Sequence, residues 1–134
     1  MPSEHSKAMP KKCVTCHMHK EKKQPEKTEG IGASMPVGGH TFRPDDRVCL
    51  ECHKDPRVLV AEWQAKISPL LEQLEALLES IPDKRARPYR TAKVNYDLVR
   101  ADGGTGMHNP RYAAALLQYS ISSLKIGSVW EQTP

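Results

Sequence analysis

Two short units, Cys13-Val14-Thr15-Cys16-His17 and Cys49-Leu50-Glu51-Cys52-His53, constrain this chain more than anything else in it. They contain all four of its cysteines. Cys-x-x-Cys-His is the attachment signature of c-type haem. Two thiols separated by two residues reach the two vinyl groups of one porphyrin, and the histidine that follows is left beneath the iron. Cys13, Cys16, Cys49 and Cys52 therefore read as thioether donors to two covalently bound haems c. His17 and His53 are the proximal iron ligands of haem 1 and haem 2 in chain order.

Two other chemistries use paired cysteines. A structural zinc site takes four thiolates, and a single pair can act as a redox dithiol. A zinc ribbon has no need of a histidine directly after each pair, and the gap from Cys16 to Cys49 exceeds the usual ribbon spacing. A thioredoxin-like dithiol belongs beside a βαβ pattern, which the chain lacks. Two complete units with no cysteine left over favour haem.

The apolar inventory agrees. In 134 residues the aromatic content is 5%, with Phe42 the one phenylalanine. A chain of this size with so few large apolar side chains has a limited core of its own, and two macrocycles would supply the missing bulk. The net charge is +4, with Lys7, Lys11, Lys12, Lys20, Lys22, Lys23 and Lys27 crowding the front. Haem propionates offset much of that charge, and the aromatic or Gly-rich readers of nucleic acid are missing, so the run reads as a solvated face without a nucleic-acid role. No segment approaches the roughly 20 apolar residues of a membrane span. The start, Met1 to Pro10, has no apolar signal core. Since haem c is attached outside the cytoplasm in most lineages, the expectation is an extracytoplasmic (periplasmic or extracellular) protein whose signal peptide is absent from this chain.

From Met1 to Lys54 there is no sustained helical or alternating period, so haems rather than regular structure should organise residues 1–54. Residues 55–134 differ. Leu59, Trp63, Ile67, Leu70, Leu74, Leu77 and Ile81 recur every three or four residues, which predicts one long helix. Asp55 and Pro56 start it, Pro69 should kink it, and Pro82 ends it. A second helix is expected from about Arg87 to Arg100, with Tyr89, Ala92, Tyr96 and Val99 on one face and Asp102-Gly103-Gly104 closing it. A third is expected from about Pro110 to Ile126, with Tyr112, Leu116, Tyr119, Ser123 and Ile126 sharing a stripe. The fold class is thus mostly α: a single dihaem domain with an irregular, haem-organised first half and a bundle of about three helices. Mutual packing accounts for most of these stripes, and a spare seam would suit a neighbouring subunit.

Each iron still needs a second axial ligand. His5, His19, His40 and His108 lie outside the two units, more donors than two irons can use. Met18 and Met107 are weaker alternatives that would raise the potential. His19, two residues beyond a proximal ligand, is badly placed to reach the opposite face of the same haem.

The order of features resembles the C-terminal part of pentahaem cytochrome c nitrite reductases and the related hydroxylamine-oxidising multihaem proteins. The matching residues are His5 ahead of Cys13 to Met18, His40 ahead of Cys49 to His53, a long helix, and His108-Asn109-Pro110 leading into Arg111-Tyr112-Ala113. The resemblance implies that His108 is distal on haem 1 and His5 distal on haem 2. The family's counterpart of His40 serves an earlier haem, absent here. His40 is therefore left as an alternative distal ligand or a donor to an iron in another subunit. The family's catalytic haem, with lysine as proximal ligand, also has no counterpart, so the resemblance argues for relayed electrons without inherited catalysis.

The expected function is a dihaem electron carrier serving redox partner proteins. A sharper form is a self-assembling oligomer or filament in which haem pairs of successive subunits form a chain. The rival is a small haem enzyme, or subunit of one, reducing a nitrogen or oxygen species at a five-coordinate iron, with Tyr89, Tyr96, Arg90 or Arg43 as distal donors.

Overall fold

Long apolar periodicity in one half and its lack in the other produce two kinds of structure. The computed structural model describes residues 3–9, 11–19, 44, 46–103 and 106–130. It is mostly helical, with six helices and no strand among those residues. His40, Phe42 and Arg43 lie outside them. The chain divides into two compact units, one of Glu4–Val58 and one built on Leu59–Pro134.

The first unit holds three one-turn helices, α1 (Glu4–Ala8), α2 (Cys13–His17) and α3 (Asp46–Cys49). Helices this short are not stable by themselves in water. Between α1 and α2, Lys12 adopts φ 47° and ψ −125°, an unfavourable backbone for a residue with a Cβ. It bends the chain directly ahead of Cys13.

The second unit is built from three longer helices: α4 (Pro56–Ser80, starting in the first unit), α5 (Arg87–Ala101) and α6 (Pro110–Trp130). Asp55 caps α4, its Oδ1 accepting from the N–H groups of Arg57 and Val58 at 3.2 Å each. Pro56 occupies the first helical position, where its missing N–H costs nothing. The helix runs on through Pro69 and ends at Ser80, because Ile81 precedes Pro82 and is steered out of the helical region.

Ile67, Leu71, Leu74 and Leu78 of α4 pack with Ala92, Tyr96 and Val99 of α5 and Ala113, Leu117, Ile121 and Leu124 of α6. Leu74 and Leu117 are fully buried, each stabilising the fold by roughly 2 kcal/mol. Two polar ties lock α5 to its neighbours. Tyr96 Oη donates to Glu75 of α4 at 2.6 Å, and Asn95 Nδ2 donates to the buried Ser120 of α6 at 3.0 Å.

The α5 face agrees with its expected residues, whereas α6 requires a correction. Its expected stripe faces outward at Tyr112, Tyr119 and Ile126, which are 41%, 62% and 60% exposed. The buried stripe is Ala113, Leu117, Ser120, Ile121 and Leu124, one residue further along. On α4 the expected Ile67 and Leu74 are buried and Leu70, Leu77 and Ile81 pack against the core, with Leu71 and Leu78 added to it. The physical reason is size: Ala113 and Ser120 let helices approach closely, and the tyrosines keep their hydroxyls in water.

Candidate functional site

On an α-helical turn, positions i, i+3 and i+4 lie on one face. In α2 this places Cys13, Cys16 and His17 together. In the second motif the backbone N–H of His53 donates to Cys49 O at 2.8 Å, so the same helical spacing continues beyond α3 and gathers Cys49, Cys52 and His53. None of the four cysteines is joined in a disulfide. Local backbone geometry thus puts the two cysteines and the histidine of each unit on one helical face.

The motifs also sense each other. Burial pushes the Cys16 thiol above its usual range, and the charges of Cys13 and of Glu51, from the second motif, add to the rise. Within this unit the two attachment segments are therefore electrostatic neighbours. Thr15 Oγ1, between Cys13 and Cys16, is buried without a hydrogen-bond partner among the described residues. A buried hydroxyl without a partner costs about 1–3 kcal/mol.

α1 brings His5 to the second motif. The rings of His5 and His53 have centroids 5.9 Å apart and planes at 86°. Two imidazoles on opposite sides of one metal, each with about 2 Å from nitrogen to metal, have centroids about 6 Å apart. The pair is thus spaced as two axial ligands of one iron would be. No cluster of three or more His, Cys, Asp or Glu side chains able to hold a metal ion occurs among the described residues. The His5–His53 spacing and the paired cysteines have the chemistry that a haem c would need.

His108 belongs to the helical unit. It lies between α5 and α6, and its Nδ1 is held by Asp102 Oδ1. The other carboxylate oxygen accepts from Gly106 N–H at 3.3 Å. Gly106 is buried with φ +86°. An apolar cavity of about 370 Å³ opens beside the ring, lined by Leu98, Val99, Tyr112 and Leu116 among others. A carboxylate behind a histidine is the arrangement that orients imidazoles toward metals.

His19 is half-buried beyond α2, while His40 lies outside the described residues. Tyr96, a suggested distal donor for an open iron, is committed to Glu75. The sequence reading missed Asp102, which it took as a helix terminus only. The available signal was a carboxylate six residues ahead of a histidine across a glycine-rich loop. No helix among the described residues is long and apolar enough to cross a membrane. No protein-family profile, curated protein or solved structure matches this chain.

Proposed function

We propose that the chain is an extracytoplasmic dihaem c-type cytochrome that relays single electrons to and from redox partner proteins. The observation that carries this reading is the His5–His53 ring pair, held within the unit that contains both attachment motifs. Cys13 and Cys16 would tether haem 1, Cys49 and Cys52 haem 2. His17 and His53 would be the proximal ligands of haem 1 and haem 2, His5 the distal ligand of haem 2, and a histidine outside the two motifs that of haem 1. When bound, the haems supply an Fe(III)/Fe(II) couple, at fairly low potential with two imidazoles and no methionine. With both axial positions filled by this chain's own residues, no site is left for nitrite, peroxide or dioxygen.

The test is haem stoichiometry by pyridine haemochrome together with low-temperature EPR of the purified oxidised protein. Two haems per chain with only low-spin ferric signals are expected. A colourless protein would overturn the haem reading, and a high-spin signal would move the protein to the enzyme class.

A specific feature supports self-association as an extension. Tyr112, Tyr119 and Ile126 repeat every seven residues on the exposed face of α6, a seam of the type that pairs with a second helix. In this form a second copy covers the seam, and successive haem pairs form a filament, with His40 as a donor between subunits. Electron micrographs of concentrated protein should show fibres, and a strictly monomeric protein would sink this extension alone.

A further inference from the structure

The cavity beside His108 is lined by the helical unit alone, and its wall is apolar except at one edge. Leu98 of α5 and Tyr112 and Leu116 of α6 line it, with Val99 and Ala113 behind them. Leu98 and Tyr112 are 55% and 41% exposed, so the chain itself leaves these walls in water. At about 370 Å³ the space is that of a small-molecule site. No lysine, arginine or cysteine lines it among the described residues, so an anion would find no countercharge there. A cation would find only Asp102, whose Oδ1 holds His108 Nδ1 and whose Oδ2 accepts from Gly106 N–H. Asn109 caps α6, its Oδ1 accepting from Tyr112 N–H at 3.2 Å. The His108 side chain, 58% exposed against 26% for Asp102, is the presented member of the pair. With the Nδ1 proton on the carboxylate, a neutral imidazole offers Nε2 as an acceptor.

We infer that this cavity binds a small neutral hydroxyaromatic molecule of the phenol class, its ring among Leu98, Tyr112 and Leu116 and its hydroxyl donating to His108. Elimination of both charge signs leaves a neutral ligand, and the apolar wall requires that it be mostly hydrocarbon. Tyr112 favours an aromatic ring over an alkyl chain. A phenolic hydroxyl is also a stronger donor to imidazole than an aliphatic one. Asp102 acts through His108, holding the tautomer that accepts. The inference needs no haem. It takes His108 out of the candidates for the second position of haem 1, which leaves His19 and His40.

The experiment titrates the purified full chain with phenol and with toluene, which has the same shape but no hydroxyl, by calorimetry and by the NMR signals of the His108 ring. Phenol should saturate one site per chain, shift those signals, and bind more tightly than toluene by roughly two- to tenfold, the worth of one hydrogen bond. His108→Ala should remove that preference, and Leu98→Gln should weaken both compounds, with circular dichroism checking that each variant is folded. The His108 signals of the unmutated chain keep the test decisive should a variant not fold. Absence of saturable phenol binding would overturn the inference. So would equal affinity for the two compounds, or phenol binding that leaves the His108 signals in place.

Discussion

His5 and His53 meet edge-on, with ring centroids 5.9 Å apart and planes at 86°, although one precedes the first Cys-x-x-Cys-His unit and the other closes the second. The backbone of α1 donates Met9 N–H to His5 O and then passes, through Lys12 N–H on Met9 O, into the first motif. His5 is therefore placed by the turns that lead into the first motif, while its ring meets the second. If the two rings cap one iron, replacing His5 by alanine should convert one haem of two to high spin and leave the other low-spin. EPR of the oxidised variant measures this directly. Two low-spin haems in His5→Ala, and one high-spin haem in His40→Ala, would transfer the role to His40.

Gly106 should tolerate no side chain. Its φ of +86° is unfavourable for an L residue, and an added Cβ would meet Ile67 Cγ1 at 3.1 Å and Ala113 Cβ at 3.4 Å. The expected cost of Gly106→Ala is about 1–3 kcal/mol, read as a lower midpoint in denaturant unfolding followed by helical circular dichroism. Gly103, with φ +67° and no atom nearer to an added Cβ than Ala101 O at 4.0 Å, should show the backbone penalty alone.

What the sequence makes legible follows from how local each signal is. The Cys-x-x-Cys-His units, the Asp55-Pro56 start and the Tyr89-Ala92-Tyr96-Val99 face are set by spacings within a turn or two, and could be read directly. The α6 register could not. Two stripes one residue apart are both largely apolar, and only the partner helices decide which is buried. The partner helices favour Ala113 and Ser120, which let them come close, over Tyr112 and Tyr119. Asp102 was illegible for a related reason: its partner lies across a loop whose path depends on Gly106 packing on Ile67 of another helix.

The α6 register makes its own forecast. Leu117 is fully buried and Tyr119 is 62% exposed. Leu117→Ala should cost about 2–5 kcal/mol through lost burial and a residual cavity. Tyr119→Ala should stay within about 0.5 kcal/mol for the monomer. Equal costs in chemical denaturation would return α6 to the tyrosine-bearing stripe. A Tyr119→Ala effect that grows with protein concentration would mark that face as buried between copies.

Tyr96 couples stability to alkaline pH. Its hydroxyl donates to Glu75 at 2.6 Å, and Tyr96→Phe should cost about 1.5–3 kcal/mol near neutral pH, the range for hydrogen bonds to charged groups. The hydrogen bond to Glu75 raises the Tyr96 pKa above its usual 10.0; burial and the charges of Glu75 and Asp97 add to the rise, and Arg100 opposes it. The folded state therefore holds this proton more tightly than the unfolded state. Between the two pKa values the unfolded chain has lost the proton and the folded one has kept it, so stability falls as pH rises. The contribution is complete below about pH 10 and disappears as pH climbs through the folded value. Other groups, lysines above all, titrate in the same range, which makes the difference between wild type and Tyr96→Phe the quantity to follow. That difference, measured by denaturant unfolding at a series of pH values, should be constant up to about pH 10 and shrink above it. A difference that grows with alkaline pH would mean that the phenolate, not the phenol, is the form the α4–α5 contact favours.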